Sequence, residues 1–295
     1  MKNNLLKTIV MVLTASTLLF FGCSKEETKS TSDNNKPAVE VFSTSKQALF
    51  LYFTGSECNP CGSVGIPNYN SVVGDLNLKD KVLGVCVHCN APAPDKLYDA
   101  VVGGDLLNLI VVNNSYSAPT FLLLPNASMS GSGSNSASQV TTQINTFSYN
   151  PAVASVNATV TLDGSKFNVK TRTKFFSADS GTYQVSVWVL EDSISFHQVV
   201  NGATVNPYIH NEVLRGRFSS ASFGDAIKIG KVDKDTLIEK TFLGAIPAIN
   251  TSIPEKNWNK KNLSAVVTIW KKNKVGTTTT YEVMNTTKVK LPVAP

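Results

Sequence analysis

The sequence has few charged residues and few histidines, and it has no long apolar run beyond the one near its N-terminus. Charged residues make up 16% of its 295 positions and apolar residues 42%, which excludes an intrinsically disordered chain. Three histidines are too few for a Ser/His/Asp arrangement to stand out. No basic stripe carries interleaved aromatic residues, which argues against a nucleic-acid partner. After residue 23, no segment is apolar enough to span a membrane as a helix.

The first 23 residues have the layout of an export signal. Lys2 and Lys7 precede the apolar stretch Thr8–Phe21, whose 14 residues are too few to span a bilayer comfortably. The stretch ends in Leu-Phe-Phe-Gly-Cys23, which resembles the lipobox of bacterial lipoproteins. The resemblance implies removal of residues 1–22 and acylation of Cys23, which would hold the protein on a membrane. An ordinary secretory signal is the alternative.

The length of the chain predicts two folded domains behind a polar linker. Residues 23–45 contain mostly Ser, Thr, Asn, Lys and Glu, and we expect them to form a flexible tether. Within this tether, Ser24–Glu27 resembles the surface-export signal of some Gram-negative lipoproteins, which implies exposure at the cell surface. The change of pattern at residue 149 predicts one domain over 46–148 and a second over 149–295.

The two domains have different patterns. Residues 46–148 place near-continuous apolar runs, such as 48–53 and 82–88, between segments with loosely helical spacing, which predicts an α/β domain with buried strands. From residue 149 the apolar and polar residues alternate, with turn signals such as Asp163-Gly164 between the runs. This pattern predicts an antiparallel β-sandwich of the immunoglobulin-like or jelly-roll type.

A Cys-x-x-Cys pair follows the first apolar run. Cys58 and Cys61 enclose Asn-Pro at a strand-to-helix turn, the arrangement that thioredoxin-like proteins use for disulfide chemistry. In that reading Cys58 is the attacking sulfur, favoured by the helix N-terminus, and Cys61 is the resolving sulfur. Pro119, in Ala-Pro-Thr before a later strand, resembles the cis-proline that lies against such a pair. The domain is therefore predicted to be thioredoxin-like.

Two positions count against vigorous catalysis. Glu57 stands where oxidoreductases of this kind usually have Trp, and its charge would raise the pKa of Cys58. Tyr52 stands where thioredoxins have a buried acid. The chain is thus a weak candidate for a thiol–disulfide oxidoreductase, and a structural disulfide is the alternative.

A second Cys-x-x-Cys pair, Cys86 and Cys89, encloses His88 at the end of the next predicted strand. If the two strands form a βαβ unit, both cysteine pairs converge at one edge of the sheet, and these three residues become auxiliary site candidates. In an extended strand Cys86 and Cys89 lie roughly 10 Å apart on opposite faces. A disulfide requires Cα atoms within about 7 Å. The two can therefore bond only if the chain turns at His88, and otherwise each seeks a partner in the first pair.

Four cysteines at this spacing also resemble a zinc site. Cys58, Cys61, Cys86 and Cys89 follow a Cys-x₂-Cys-x₂₄-Cys-x₂-Cys pattern, whose central gap is longer than in zinc ribbons. An exported chain meets oxidants that convert thiols into disulfides. Zinc is therefore a minor alternative, and we expect no cofactor.

A family resemblance covers almost the whole mature chain. Pro207–Arg215 looks like the His-Asn-His-Val-Leu-Arg signature of the Omp28-related outer-membrane lipoproteins, with His210, Asn211 and Arg215 as the matching residues and Glu212 in place of the second His. Those proteins join a lipobox, a thioredoxin-like domain with a Cys-x-x-Cys turn and a C-terminal β-sandwich. The resemblance implies an outer-membrane protein anchored through lipid on Cys23.

Two functions follow from these observations. In the first, the lipid-anchored protein carries out thiol–disulfide exchange on a protein substrate. In the second, it is a non-catalytic binding or adhesin-like protein of the envelope, in which disulfides only brace the α/β domain and the β-sandwich contacts the partner.

Overall fold

The computed structural model describes residues 41–111, 115–124, 127–130, 136–163 and 166–293. The predicted export signal, the acylation site Cys23 and residues 23–40 of the predicted linker lie outside these ranges. In the described residues, no helix is both long and apolar enough to cross a membrane.

The first half of the chain contains short helices between buried strands. In chain order its elements are β1 (Ala48–Thr54), a π-helical turn (Cys61–Gly65), α1 (Ile66–Val73), β2 (Val82–His88), α2 (Val102–Leu107), β3 (Thr120–Leu124), β4 (Ala127–Ser130) and α3 (Ser136–Tyr149). Every residue of β1, β2 and β3 is buried, which explains why these segments read as continuous apolar runs. The α/β prediction for this part is confirmed.

The pairing of these strands brings two strand ends to one edge. β1 pairs in parallel with β2, so that Thr54 lies beside His88, and β1 pairs antiparallel with β3 on its other side. One face of this sheet packs in a core with residues of α1 and α3, and the other face packs in a core with α2. The chain that leaves β1 therefore enters the Cys58–Cys61 corner next to the end of β2.

The second half consists of strands and of two short 3₁₀ helices, Pro254–Lys256 and Lys260–Asn262. The strands are β5 (Ala154–Asp163), β6 (Lys166–Phe175), β7 (Asp179–Glu191), β8 (Ile194–Val200), β9 (Ala203–His210), β10 (Val213–Arg217), β11 (Asp225–Val232), β12 (Leu237–Ala245), β13 (Leu263–Val275) and β14 (Thr278–Lys290). In β6, buried and exposed or half-buried residues alternate, which matches the alternation in the sequence.

One sheet runs through both halves of the chain. Its strand order in the described residues is β14-β13-β7-β10-β2-β1-β3-β4, with β11 paired to β7. The junction is a parallel pairing of β10 with β2, in which Val213 lies opposite Cys86. The boundary at residues 148 and 149 stays a prediction, and the shared sheet means that the two halves are joined by backbone hydrogen bonds.

A smaller sheet packs on the β part of the large one. Its strand order is β12-β6-β5, and its buried residues share one core with those of β7, β13 and β14. Phe167 and Phe175 from the small sheet meet Tyr183 and Ile269 from the large one in this core. The expected succession of an α/β part and a β part is confirmed, and the type of sandwich stays a prediction.

Strands β8 and β9 form a separate two-stranded hairpin. Asn201 and Gly202 connect them, and both have positive φ, 51° and 78°. An Asn-Gly pair in this conformation is the preferred two-residue connection of a hairpin, because its twist matches that of the flanking strands. The hairpin folds back over the Cys58–Cys61 corner and is the main tertiary feature that shapes the candidate site.

Candidate functional site

Cys58 and Cys61 form a disulfide at the corner that follows β1. Their Cα atoms are 5.1 Å apart, and Cys61 begins the π-helical turn that leads into α1. The Ala118–Pro119 peptide bond is cis, and the carbonyl oxygen of Ala118 lies 3.5 Å from Sγ of Cys58. The structure thus brings together the three residues that the sequence nominated as catalytic candidates.

The disulfide is buried. Cys58 is 2% exposed and Cys61 is 0% exposed. Tyr52, which stands in place of a buried acid, donates a hydrogen bond of 2.9 Å from its hydroxyl to the carbonyl oxygen of Cys61. Burial raises the pKa of Tyr52 far above its usual value, so this hydroxyl stays protonated at neutral pH. Tyr52 therefore braces the corner and supplies no carboxylate to accept a proton from a thiol.

The β8–β9 hairpin covers the corner through hydrogen bonds between segments about 140 residues apart. These bonds run from Val199 N to Ser56 O (2.8 Å), from Gln198 Nε2 to Gly55 O (3.1 Å), from Gly202 N to Asn59 Oδ1 (2.8 Å) and from Asn201 N to Ser63 Oγ (2.7 Å). They involve both backbone and side-chain groups on each side. The hairpin is therefore fastened along the corner and excludes solvent from the disulfide.

Two further contacts show how closely the hairpin packs against the Cys58–Cys61 corner. A Cβ atom added to Gly62 would lie 2.1 Å from the carbonyl oxygen of Val199, so only glycine fits there. At the rim, Nε2 of His197 lies 2.5 Å from Oε1 of Glu57. Glu57, which the sequence marked as unfavourable for a thiolate, thus has a partner on the hairpin. Sequence spacing alone gave no sign of this pairing.

The second cysteine pair is not bonded, and its thiols are free and buried. Cys86 packs in the core that contains α1 and α3, whereas Cys89 packs in the core on the other face of the sheet. This agrees with the expectation that an extended strand separates them. Burial raises the pKa of Cys86 well above its usual range and that of Cys89 to about 12. Both are inert thiols at neutral pH.

The observed pairing excludes two of the alternatives for this state of the protein. Cys58 and Cys61 bond to each other, so neither of the later cysteines takes a partner from the first pair. A bonded sulfur is also not a thiolate and cannot act as a zinc ligand. In the described parts of the chain, no group of three or more His, Cys, Asp or Glu residues is placed to hold a metal ion.

His88 forms a buried pair with an acid that the sequence analysis did not nominate. Nδ1 of His88 lies 2.8 Å from Oδ2 of Asp95, and the two side chains are each 1% exposed. Asp95 also accepts the backbone N–H groups of Ser56 and Leu97, both at 2.7 Å. Burial by itself would raise the pKa of Asp95, but His88 and these N–H groups outweigh it and lower the pKa. Asp95 is therefore a carboxylate that ties β2 to the corner.

His210 lies beside this pair. Its ring meets the His88 ring edge-on, with centroids 5.2 Å apart, and its Nε2 lies 3.2 Å from the carbonyl oxygen of His197. Burial first, and then the neighbouring His88, lower the pKa of His210 to about 3. The imidazole is neutral at neutral pH, and its Nε2–H donates to the carbonyl, which leaves Nδ1 as an acceptor.

Two other residues of the Pro207–Arg215 segment, Arg215 and Asn211, act as scaffold. Arg215 is buried, its Nε lies 3.1 Å from Oε2 of Glu191, and its NH2 donates to the carbonyl of Glu255 at 2.8 Å. Asn211 accepts the backbone N–H of Ser193 at 2.9 Å. Both residues therefore hold β10 and the turn before it in place, and they do not contact the disulfide.

Glu212, which replaces the family's second His, has its own partners. Its Oε2 accepts the hydroxyl of Tyr69 at 2.5 Å, and its Oε1 lies 3.5 Å from Nζ of Lys288. It also has a positive φ of 55° and follows the hairpin directly. The substitution thus converts an imidazole position into an acid that bridges α1 and β14.

The protein combines an α/β part that holds a covered disulfide with a β part, and comparison with known proteins identifies the family. The family described as "Outer membrane protein Omp28" matches residues 128–293, which is more than half of the chain. The chain belongs to this family. The resemblance read from the Pro207–Arg215 segment is therefore confirmed.

A search of curated proteins found no match. Among solved structures, the chain is similar to HBP35 of Porphyromonas gingivalis, with 17% identity and a TM-score of 0.63 over 85% of this chain and 77% of that one. At this identity the likeness shows the fold alone. A protein from Archaeoglobus fulgidus is 14% identical, with a TM-score of 0.21 over 48% of this chain and 98% of that one, which is too low to indicate a shared fold.

Proposed function

We propose that this chain is a lipid-anchored, non-catalytic binding protein of the outer membrane, with a thioredoxin-like module that the Cys58–Cys61 disulfide braces. The observation that carries this proposal is the burial of the closed disulfide beneath the β8–β9 hairpin, at 2% and 0% exposure. Membership of an outer-membrane protein family supports the proposed location at the outer membrane. The β part of the chain, which supplies the hairpin, is then the part that contacts a partner.

The chemistry of exchange explains why burial matters. Thiol–disulfide exchange begins when a thiolate attacks one sulfur of the bond, so the sulfur has to be accessible. The hairpin occupies the space in front of Cys58, and hydrogen bonds such as that between Val199 and Ser56 hold it there. Glu57 beside Cys58 opposes formation of a thiolate, and Tyr52 offers no carboxylate. These features favour a structural role for the Cys58–Cys61 disulfide over a catalytic one.

One observation favours thiol–disulfide exchange as a second candidate. The order of β1, Cys-x-x-Cys corner, α1, β2 and cis-Pro119 before β3 is that of a thioredoxin-like module, and the Ala118 carbonyl lies 3.5 Å from Cys58. In this candidate Cys58 attacks, Cys61 resolves and Pro119 positions the backbone of a protein substrate after the hairpin has moved away.

Reduction of the native protein separates the two candidates. If the hairpin covers the disulfide, mild reductant is expected to reduce it more than about a hundredfold more slowly in the native chain than in the urea-unfolded chain. The reason is that moving the hairpin away from the disulfide costs a few kcal/mol. Alkylation and mass spectrometry of the four thiols measure this. Turnover of a model disulfide that is lost in Cys58→Ser would instead establish exchange and contradict the brace.

The lipid anchor has its own test. A chain produced in bacteria with a labelled fatty acid is expected to carry the label and to sediment with membranes, and Cys23→Ser is expected to lose both properties. Cys86→Ser is the matched control and should keep both, because Cys86 is buried in the folded protein. Label retained in the Cys23→Ser variant would show that Cys23 is not the site of acylation.

A further inference from the structure

A cavity of about 490 Å³ lies beside the covered disulfide. Its floor is formed by the ends of β1 and β2, through Tyr52 and His88, and its walls come from α1 and from the segment that joins β9 to β10. Its volume falls within the range of small-molecule sites, which are about 300–1,000 Å³. No role that the disulfide plays as a brace requires this space.

Two imidazole nitrogens of lining residues have no hydrogen-bond partner among the described residues. Nδ1 of His88 is taken by Asp95 and Nε2 of His210 by the carbonyl of His197, which leaves Nε2 of His88 and Nδ1 of His210. His88 is 2% exposed and His210 is 5% exposed, so what remains accessible of these side chains faces the cavity that they line. A ligand in the cavity can therefore form a hydrogen bond to an imidazole ring.

Three lining groups are uncharged at neutral pH. Burial raises the pKa of Cys86 and of Tyr69 above their usual ranges, and His210 has a pKa of about 3. The charged lining residues Asp192, Glu212 and Lys288 leave one net negative charge, and Nζ of Lys288 lies 3.9 Å from Asp192 and 3.5 Å from Glu212. An anionic ligand would therefore lose its hydration without gaining a counter-charge.

The walls offer aromatic surface. Tyr52 and Tyr69 stack on each other with ring centroids 5.3 Å apart, and the Tyr208 ring meets His210 edge-on at 5.0 Å. Aromatic pairs of this kind contribute beyond the area they bury, so an aromatic ligand gains most from these walls.

We propose that this cavity binds a small aromatic molecule that carries no negative charge and whose ring carries an N–H or O–H donor; this ligand class rests on the binding function proposed above. The donor bonds to Nδ1 of His210, and the ring packs against the tyrosines. No covalent step is involved, and Cys86 stays a protonated thiol in the wall.

The test uses indole, with the full-length chain in lipid nanodiscs and calorimetry as the readout. Indole is expected to bind roughly tenfold more tightly than 1-methylindole, because the methyl group removes the donor to a buried acceptor. The anion indole-3-acetate is expected not to bind. Equal binding of indole-3-acetate, or no binding of indole, would overturn the proposal.

Variants separate the cavity from the rest of the surface. Val73→Trp places a large ring in the cavity from α1 and is expected to abolish binding, whereas Val64→Trp, at an exposed position outside the cavity, should leave it unchanged. His210→Phe should remove the tenfold preference for indole. Thermal melting of each variant confirms that it folds, and indole binding that survives in Val73→Trp would refute the site.

The outcome is separable from that of the proposed function. If the native disulfide resists reduction but indole does not bind, the structural role of the disulfide is supported and the proposed ligand class is wrong. If indole binds but a model disulfide is turned over, the ligand site stands and the non-catalytic function is wrong.

Discussion

Replacing Gly62 by alanine is expected to make the Cys58–Cys61 disulfide at least about tenfold easier to reduce in the native protein. The new Cβ would lie 2.1 Å from the carbonyl oxygen of Val199 and 2.9 Å from a methyl group of Val200, so the hairpin has to move. Overpacking of this kind costs typically about 1–3 kcal/mol, and each 1.4 kcal/mol is roughly tenfold in an opening equilibrium. The rate of alkylation of Cys58 and Cys61 under mild reductant measures the effect.

A second glycine provides the control for this substitution. Gly104 lies in α2, and a Cβ atom there would meet the Tyr98 hydroxyl at 3.3 Å and nothing else within 4 Å. Gly104→Ala therefore leaves the corner untouched, and alanine favours the helix. It is expected to leave the reduction rate unchanged. Equal rates for Gly62→Ala and the unaltered chain would show that the hairpin does not control access to the disulfide.

Replacing Arg215 by methionine is expected to lower the free energy of unfolding by about 3–5 kcal/mol, since it leaves a buried carboxylate without its partner. Arg215 and Glu191 have side chains that are 3% and 4% exposed, and their closest atoms are 3.1 Å apart. The carbonyl oxygens of Glu255 and Asn257 also lose the hydrogen bonds that the Arg215 guanidinium donates to them. Urea titration of the folded protein measures the loss.

Two controls test the reason for this loss. Glu191→Leu combined with Arg215→Met removes both charges and is expected to recover part of the stability, because no unpaired charge remains buried. Lys231→Met breaks the pair with Asp233, whose side chains are 77% and 76% exposed, and should have no measurable effect. A double variant no more stable than Arg215→Met alone would show that lost packing, not the unpaired charge, causes the effect.

Much of the α/β part was predictable because its signals are local. Each residue of β1 is apolar or β-branched, as a strand buried on both faces requires, and the cysteines at 58 and 61 are close in sequence. In contrast, the long segment between β2 and β3, where helical spacing is loose, forms only the short helix α2, Val102–Leu107. Asp95 itself is turned inward, where it accepts N–H groups of Ser56 and Leu97.

The covering of the disulfide was not predictable from spacing. Asn201-Gly202 is a local hairpin signal, yet nothing local indicates that Gln198 and Val199 will bond to Gly55 and Ser56. Such contacts depend on the path of the whole intervening chain, so they appear only when β10 pairs with β2 and carries the hairpin over the corner. The same holds for the cavity, whose walls come from distant segments.

By itself, the sequence determined the α/β-then-β order, the Cys-x-x-Cys corner and the family, because each depends on residue type and short spacing. Only the tertiary structure decided that Cys58 and Cys61 bond to each other, that the β8–β9 hairpin seals them and that His88 and His210 line a cavity. The physical reason is that burial and hydrogen-bond partners are set by segments about 140 residues apart, which no local pattern encodes.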